Sequence, residues 1–411
     1  MGEQTDGVNP AAASGPGEAR GAVLIDQVAD WLMDRALDRT EMEALIAGCC
    51  QRLHGAGVSL VRAHVAFRTL HPVLQARGFT WHRGGGVETT GFRHDVDTGL
   101  FARSPHHHML ESGVSLFRRR LTGDEALLDF DVLSDLKDAG GTDYLAYIVA
   151  FETGSGDGII GSWASDRPGG FSDGDIRALL RIQRRLAVAY KVAIKERIAQ
   201  DVLAAYLGPE AGARVLSGQI RLGDHERIHA VIWLSDLRRS TALAAALPTE
   251  DYLAALNGYF DCTAGAVLEA GGEVLLLLGD AVLAIFRTDQ GSGDAAERAL
   301  AAAAAAEARL RALNAERAGR GEAALAFGIG LHVGDVVYGN IGVAERLQFT
   351  VTGAAVNEVA RLEALTKELE RPVLASGAFA ELVKRAWEQL GRHQGRGLPT
   401  PIEVLAPPAA G

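Results

Sequence analysis

The spacing of apolar residues in the first half of the chain predicts a domain that mixes helices and strands. Between about Gly21 and Leu53, apolar residues recur at the period of an amphipathic helix. Leu60–Leu70 alternates between the two faces of a strand, and Tyr144–Phe151 and Gly158–Ala164 are typical of a strand pair. These elements indicate a small α+β domain.

Loops and one long helix complete this half of the sequence. The glycine run Gly84–Gly86 and the region around Pro105 are predicted to be loops. A helix that starts at Asp173 and runs to about Ala205 carries an apolar stripe, so it is a candidate parallel coiled coil between two domains. The alternative is a helix that packs on its own domain. The order of elements resembles a GAF or PAS sensor domain, in pattern only and without a diagnostic motif.

The second half predicts a different α+β layer. Its predicted order is strand 230–235, helix 240–265, strands 272–278 and 281–286, helix 294–317, strands 324–333, 335–341 and 347–351, helix 355–367, and a strand–helix–strand tail. This order is typical of a ferredoxin-like layer with an extension. We therefore expect a disordered tail at residues 1–20, a sensor domain at 21–185, a helical connector and linker at 186–225 and a second domain at 226–407.

Composition narrows the possible functions. The 411 residues carry a net charge of −11 without a dense block of lysine and arginine, which disfavours a surface for nucleic acid or anionic membranes. Cys49, Cys50 and Cys262 fit neither a disulfide framework nor a zinc site. No signal peptide or membrane-spanning run is apparent, so a cytoplasmic protein is expected. His106–His108 is not expected to bind a metal, because adjacent loop residues point in different directions.

Two carboxylates follow apolar strand-like segments in the second half. Gly279-Asp280 separates two apolar runs, which predicts a hairpin with Asp280 at its tip. The apolar run Ala230–Leu234 likewise leads to Asp236. Two such carboxylates can hold two divalent cations for phosphoryl chemistry. Aspartates at strand ends also serve simply as turn formers, so both interpretations stay open at this point.

Four segments of the second half occur in one order. They are Asp236-Leu237-Arg238, Gly279-Asp280, Gly339–Gly342 and Leu347–Glu363. Together they resemble the catalytic domain of class III adenylyl and guanylyl cyclases over about residues 228–405. The resemblance implies attack of a ribose 3′-hydroxyl on the α-phosphate with release of pyrophosphate. It also implies two Mg²⁺ or Mn²⁺ ions per site and a homodimer with two shared sites.

The resemblance assigns roles to individual residues. Asp236 and Asp280 match the two metal carboxylates of the family, and the backbone carbonyl of Leu237 matches a further metal ligand. Asn357 would position the ribose, and Arg361 would stabilise the phosphate in the transition state. Asn357 and Arg361 are four residues apart and therefore share one helix face, for which a solvated surface is the alternative.

The positions that would read the substrate depart in part from the family. Adenylyl cyclases usually carry lysine, and guanylyl cyclases glutamate, where this chain has Leu276. Thr350 matches an adenylyl subgroup that carries threonine. Arg239 replaces a glycine, and it either offers charge to the triphosphate or crowds it. Arg396 falls where the family often has a lysine or arginine that contacts the triphosphate.

Three functional hypotheses follow. The first is an ATP-using adenylate cyclase that the N-terminal domain regulates through an unidentified small ligand or protein. The second is a non-enzymatic signalling or dimerisation module, which Leu276 and Arg239 motivate. The third is a cyclase with relaxed or guanine specificity.

Overall fold

The protein consists of two compact units. The computed structural model describes residues 16–38, 40–96, 99–152, 156–394 and 401–408. Contacts within the chain separate Met1–Ala205, the first unit, from Tyr206–Gly411, the second unit. Both units mix helices with strands, as the sequence predicts. Among the described residues, no helix has the length and apolar character that a membrane span would need.

The first unit is built on a six-stranded antiparallel sheet in the order β3-β2-β1-β6-β5-β4. Its elements are α1 (Pro16–Leu37), α2 (Met42–Gly55), β1 (Arg62–Arg68), β2 (Leu74–His82), β3 (Gly86–Arg93), α3 (Pro105–Ser112), β4 (Leu116–Arg120), α4 (Asp131–Asp138), β5 (Asp143–Ala150), β6 (Gly158–Ser165) and α5 (Asp173–Leu207). Side chains alternate along β1. Ala63 and Val65 face a core formed with α1, α2 and α5. The other face of the sheet packs against α3 and α4.

Several predictions for the first unit are confirmed. β5 and β6 form the predicted strand pair, and α5 begins at Asp173 as predicted. The predicted tail at residues 1–20 lies mostly outside the described residues, although α1 begins at Pro16.

The prediction of a loop around Pro105 is wrong. Pro105 is the first residue of α3, and the hydroxyl of Ser104 caps that helix by accepting a hydrogen bond from the His107 N–H at 3.3 Å. Proline is well suited to a first helical position, because the N–H that it lacks would have no partner there. His106 therefore lies on a helix and is buried, with Nε2 2.9 Å from the carbonyl oxygen of Gly161.

The second unit has a sheet in the order β13-β14-β12-β10-β7-β9-β8, with β11 paired to β10. Its elements are α6 (Pro209–Leu216), β7 (His225–Leu237), α7 (Ser240–Ala246), α8 (Thr249–Glu269), β8 (Glu273–Leu278), β9 (Ala281–Arg287), α9 (Ser292–Gly319), β10 (Phe327–Val343), β11 (Arg346–Thr352), α10 (Ala354–Glu368), β12 (Val373–Ser376), α11 (Gly377–Ala380), β13 (Glu388–His393) and β14 (Ile402–Ala406). The central strand β7 is buried on both faces. Val231 and Trp233 pack with α8 and α9, whereas Ala230 and Ile232 pack with α10.

Three predictions for the second unit need correction. The linker at residues 206–224 contains α6, which is anchored by the buried Ala211. The single helix predicted at residues 240–265 is two helices, because Pro248 lacks an N–H and disfavours a helical residue before it. The two strands predicted at residues 324–341 are one strand, β10. The hairpin β8–β9 and the helices α9 and α10 are confirmed.

Candidate active site

The ends of two neighbouring strands bring Asp236 and Asp280 together. β8 and β9 form the predicted hairpin, and Gly279 turns the chain with φ of 63°, a conformation that glycine adopts without strain. β9 also pairs with β7, which places Asp236 opposite Ala281. The N–H of Leu237 donates a hydrogen bond of 3.1 Å to the carbonyl oxygen of Asp280. The three residues assigned to metal binding, Asp236, Leu237 and Asp280, therefore meet at one edge of the sheet. We call this edge the metal edge, after that assignment.

The electrostatics of this edge favour a cation. Burial, the negative charge of Asp280 and a hydrogen bond between the two carboxyl groups together raise the pKa of Asp236 from 3.8 to about 6. Carboxylate and carbonyl oxygens are the ligands that Mg²⁺ and Mn²⁺ prefer. Asp236, Asp280 and the Leu237 carbonyl thus fit such ions. In the part of the chain that the structure describes, no group of three or more His, Cys, Asp or Glu residues is placed to hold a metal ion.

Arg239 lies just beyond this edge in a strained conformation. Its φ of 58° and ψ of 27° are left-handed, and it forms the N-cap position of α7 with an exposed side chain. For a residue other than glycine, this conformation costs about 1–2 kcal/mol. The backbone at residue 239 thus has the left-handed conformation that glycine adopts without strain. The exposed guanidinium of Arg239 follows Asp236 closely in the sequence.

We expect Arg239→Gly to raise the free energy of unfolding by about 1 kcal/mol, because the left-handed strain is relieved. Arg239→Ala is the matched control, since it removes the guanidinium and keeps the strain. If Arg239 contacts the triphosphate, both variants should raise KM for the nucleotide about tenfold, the loss of one charged contact. Equilibrium denaturation and steady-state kinetics measure the two effects. Equal stability of the glycine and alanine variants would contradict the assigned strain.

Next to the metal edge, Arg238 and Glu363 form an ion pair. The sequence did not reveal this pair. Nη1 of Arg238 lies 3.1 Å from Oε1 of Glu363, and Nη2 donates a hydrogen bond to the hydroxyl of Thr366. The guanidinium lies over Gly328, where a Cβ would collide with it. Gly328 is the β10 residue opposite Asp236. Both charged residues stand within segments that resemble the family, but opposite charge alone did not identify them as partners.

The charges of Asp236 and Asp280 also act on Glu363. Burial and these two charges raise the pKa of Glu363 to about 7, against the opposing effect of Arg238. The Arg238–Glu363 pair therefore fixes the position of α10 relative to the metal edge of the same chain. A positioning role, rather than direct contact with substrate, follows from its burial.

Asn357 and Arg361 occupy the opposite side of α10. Both side chains are exposed, and Arg361 forms no ion pair with any described residue. Successive helix residues turn by about 100°, so Arg361 and Glu363 point about 200° apart. Because Glu363 faces the metal edge of its own chain, Arg361 points away from it. Arg361 therefore shares a helix face with Asn357 and points away from Asp236 and Asp280 of the same protomer.

The two residues assigned to base reading lie on β8 and β11, which are in contact. Leu276 is partly buried against an apolar cluster that includes Phe349 and Val351. Thr350 is buried, and its hydroxyl has no hydrogen-bond partner among the described residues. A buried hydroxyl without a partner is costly, so it is suited to a ligand that supplies one. Arg396 lies outside the described residues.

Known proteins resemble part of this chain. Adenylate cyclase 1 of Rhizobium meliloti is 32% identical over 174 residues, which cover 41% of this chain and 26% of that protein. An adenylate cyclase of Anabaena cylindrica is 35% identical over 153 residues, 36% of this chain and 30% of that protein. The chain thus spans less than a third of the length of these curated relatives. The crystal structure of the adenylyl cyclase CyaB from P. aeruginosa aligns with a TM-score of 0.42 at 24% identity, covering 46% of this chain and 100% of that one.

A family model matches the part of the chain that contains the candidate active site. Residues 224–384 match the family described as the adenylate and guanylate cyclase catalytic domain. This range begins just before β7 and ends after α11. It contains Asp236 and Asp280, the Arg238–Glu363 pair and the exposed pair on α10. Part of the second unit is therefore similar to the catalytic domain of nucleotide cyclases.

Proposed function

We propose that the chain is an adenylate cyclase that converts ATP to 3′,5′-cyclic AMP and pyrophosphate at two sites shared by a homodimer. The observation that carries this proposal is the pairing of Asp236 and Asp280 at one sheet edge, in a domain that matches nucleotide cyclases. The relatives from Rhizobium meliloti and Anabaena cylindrica are both named adenylate cyclases, which favours ATP as the substrate.

The residues divide the chemistry between binding and stabilisation of charge. Asp236, Asp280 and the Leu237 carbonyl would hold two Mg²⁺ or Mn²⁺ ions, which activate the ribose 3′-hydroxyl and neutralise the triphosphate when bound. Asn357 would orient the ribose by hydrogen bonding. Arg361 would donate its fork of N–H groups to the phosphate oxygens on which negative charge builds.

The direction of Arg361 supports the proposed homodimer. In one chain Arg361 points away from Asp236 and Asp280, because Glu363 occupies the side of α10 that faces them. A second copy can present its own Arg361 to this metal edge, and symmetry then creates two equivalent sites. The exposure of Asn357 and Arg361 in the single chain agrees with residues that a partner subunit would cover.

Contacts to the triphosphate complete the proposed site. Arg239 is exposed immediately after the metal edge, where a guanidinium can attract phosphate oxygens. Arg396 is proposed for the same purpose on the strength of its position in the sequence. The two arginines would offset part of the charge of the nucleotide that the metal ions leave uncompensated.

Selectivity for adenine is proposed to be modest. Thr350 offers a buried hydroxyl without a partner, which a base could satisfy. Leu276 offers no hydrogen bond, and the loss of one such contact costs about 1–3 kcal/mol, or one to two decades of discrimination. This residue therefore favours, as a second candidate function, a cyclase that also accepts GTP.

We expect Leu276→Lys to raise the ratio of kcat/KM for ATP over GTP about tenfold, since the ammonium can donate to the adenine ring. Leu277→Lys is the matched control, because it adds the same charge on the opposite face of β8. Product formation from each nucleotide, offered separately, measures the ratio. An unchanged ratio in the Leu276→Lys variant would show that residue 276 does not line the base pocket.

The first unit is proposed to regulate the second as a sensor of the GAF or PAS type. An antiparallel sheet with helices on both faces supports this assignment. The long helix α5 begins in the first unit and ends at Leu207. It is proposed as the connector between the two units.

A further inference from the structure

The first unit contains a partly buried arginine, Arg62, that forms no ion pair with any described residue. Arg62 lies on β1 between His82 of β2 and Ala164 of β6. Ala164 belongs to the apolar cluster beneath α3 and α4, so the Arg62 side chain projects from that same face. No carboxylate among the described residues lies within ion-pair distance of Arg62. By contrast, Arg118 and Arg120 on β4 both pair with the buried Asp143, at 2.6 and 3.2 Å.

The polar groups near Arg62 do not supply the missing negative charge. Burial, followed by the charges of Arg62 and His106, lowers the pKa of His64 to about 3, so this imidazole is neutral at pH 7. Burial raises the pKa of Tyr144 to about 12, so its phenol keeps its proton. Glu88 favours the charged form of Arg62, but it is exposed on β3 and is not an ion-pair partner. A bound anion would stabilise a positive charge that is partly withdrawn from water and has no ion-pair partner.

A cavity opens beside this arginine. It has a volume of about 260 Å³ and lies between β1 and β2 on one side and α4 on the other. Arg62 and His82 line the sheet side, and Val132, Asp135 and Leu136 line the helix side. This volume is slightly below that of sites for drug-sized ligands, so it suits a small molecule. Asp135 stands in the opposite wall, beyond ion-pair distance of Arg62, where it can accept a hydrogen bond from a ligand.

We propose that this cavity binds a small carboxylate or phosphate whose anionic group pairs with Arg62 and whose hydroxyl group reaches Asp135. Bidentate pairing with a guanidinium is the strongest contact available to such an oxyanion. The bound molecule would connect β1 to α4 and neutralise the partly buried charge. This ligand site does not depend on the chemistry of the second unit; only its regulatory meaning rests on the proposed function.

The test is ligand-dependent stabilisation of the full-length chain, with inorganic phosphate and L-malate as separate probes and chloride at equal ionic strength as the reference. At a tenfold excess over Kd, binding should raise the unfolding temperature by about 3 °C. Hydrogen exchange should slow in β1, β2 and α4. A response to phosphate alone would identify a phosphate site, and a response to malate alone a hydroxycarboxylate site. Neither readout uses cyclase activity, so failure of one proposal is distinguishable from failure of the other.

Two variants make the outcome specific. Arg62→Met should abolish the rise in unfolding temperature that the ligand causes. Without ligand, the amide hydrogens of this variant should exchange no faster than those of the wild type, because an uncompensated charge is replaced by an apolar side chain of similar length. Arg68→Met, at an exposed position of the same strand, should respond like the wild type. The absence of a wild-type response to both oxyanions would overturn the proposal, and so would an equal response of the Arg62→Met chain.

Discussion

Replacing Asp280 with alanine is expected to lower cyclic nucleotide formation about a thousandfold or more while the dimer persists. Asp280 and Asp236 are the paired carboxylates of the site, and two-metal chemistry loses both nucleophile activation and charge neutralisation when one of them is removed. The measurement is turnover with saturating Mg²⁺ or Mn²⁺, together with the mass of the assembly in solution. Asp289→Ala is the matched control, because it removes an exposed carboxylate that follows β9. This variant should keep wild-type turnover.

The same carboxylate pair predicts how stability depends on pH without metal ions. Burial and the charge of Asp280 raise the pKa of Asp236 to about 6, so its ionised form is destabilising in the folded state above that pH. This penalty disappears as the pH falls through about 6 toward the unfolded value of 3.8. The chelator-treated wild type should therefore gain stability between pH 7 and pH 5, and Asp280→Asn should gain less. An equal gain in both chains would remove the electrostatic case for a cation site.

Activity lost in an Arg361→Ala chain is expected to return when that chain is paired with an Asp280→Ala chain. Each shared site takes its carboxylates from one protomer and its arginine from the other. A heterodimer of the two variants therefore has one site with both lesions and one intact site. Purified through two different tags, it should show about half of the wild-type turnover per dimer. The Arg361→Ala homodimer should lose about a hundredfold or more, the usual effect of removing a donor that stabilises transition-state charge.

A rearranged pair of chains is the control for this result. When both substitutions stand in one chain and the partner is wild type, each shared site contains one lesion, so no activity is expected. A site formed within a single chain predicts the reverse, with activity in this control and none in the heterodimer of single variants. The direction of Arg361, opposite to Glu363 on α10, leads us to expect the shared arrangement.

Local sequence patterns predicted the hairpin that carries Asp280, and the structure confirms it. A β-hairpin with Gly-Asp at its tip is specified within a few residues, so Asp280 could be placed before any tertiary structure was known. The Arg238–Glu363 contact could not be placed in this way, because its partners are separated by 125 residues and meet only where α10 lies over Gly328. For the same reason, the sequence did not show that Arg361 faces away from its own metal edge.

Two errors in the sequence interpretation concern proline and glycine. A proline such as Pro105 suggests a loop, although the preceding Ser104 and the position of the proline also fit a helix start. The predicted break between strands 324–333 and 335–341 falls at Gly334, but β10 runs through it. A Cβ at Gly334 would lie 2.8 Å from the Cβ of Ala355, so this glycine allows α10 to approach the strand. A glycine in a sequence can therefore indicate either a turn or the close approach of two elements that are distant along the chain.

The central claim is that this chain makes a cyclic nucleotide at the edge formed by Asp236 and Asp280. The most direct measurement is product formation by the purified full-length chain, with ATP and GTP offered separately and with Mg²⁺ and Mn²⁺ tested in turn. We predict cyclic AMP and pyrophosphate in equal amounts from ATP, with slower conversion of GTP. A folded, dimeric chain that makes no cyclic nucleotide from either substrate would contradict the account and would favour a non-enzymatic signalling module.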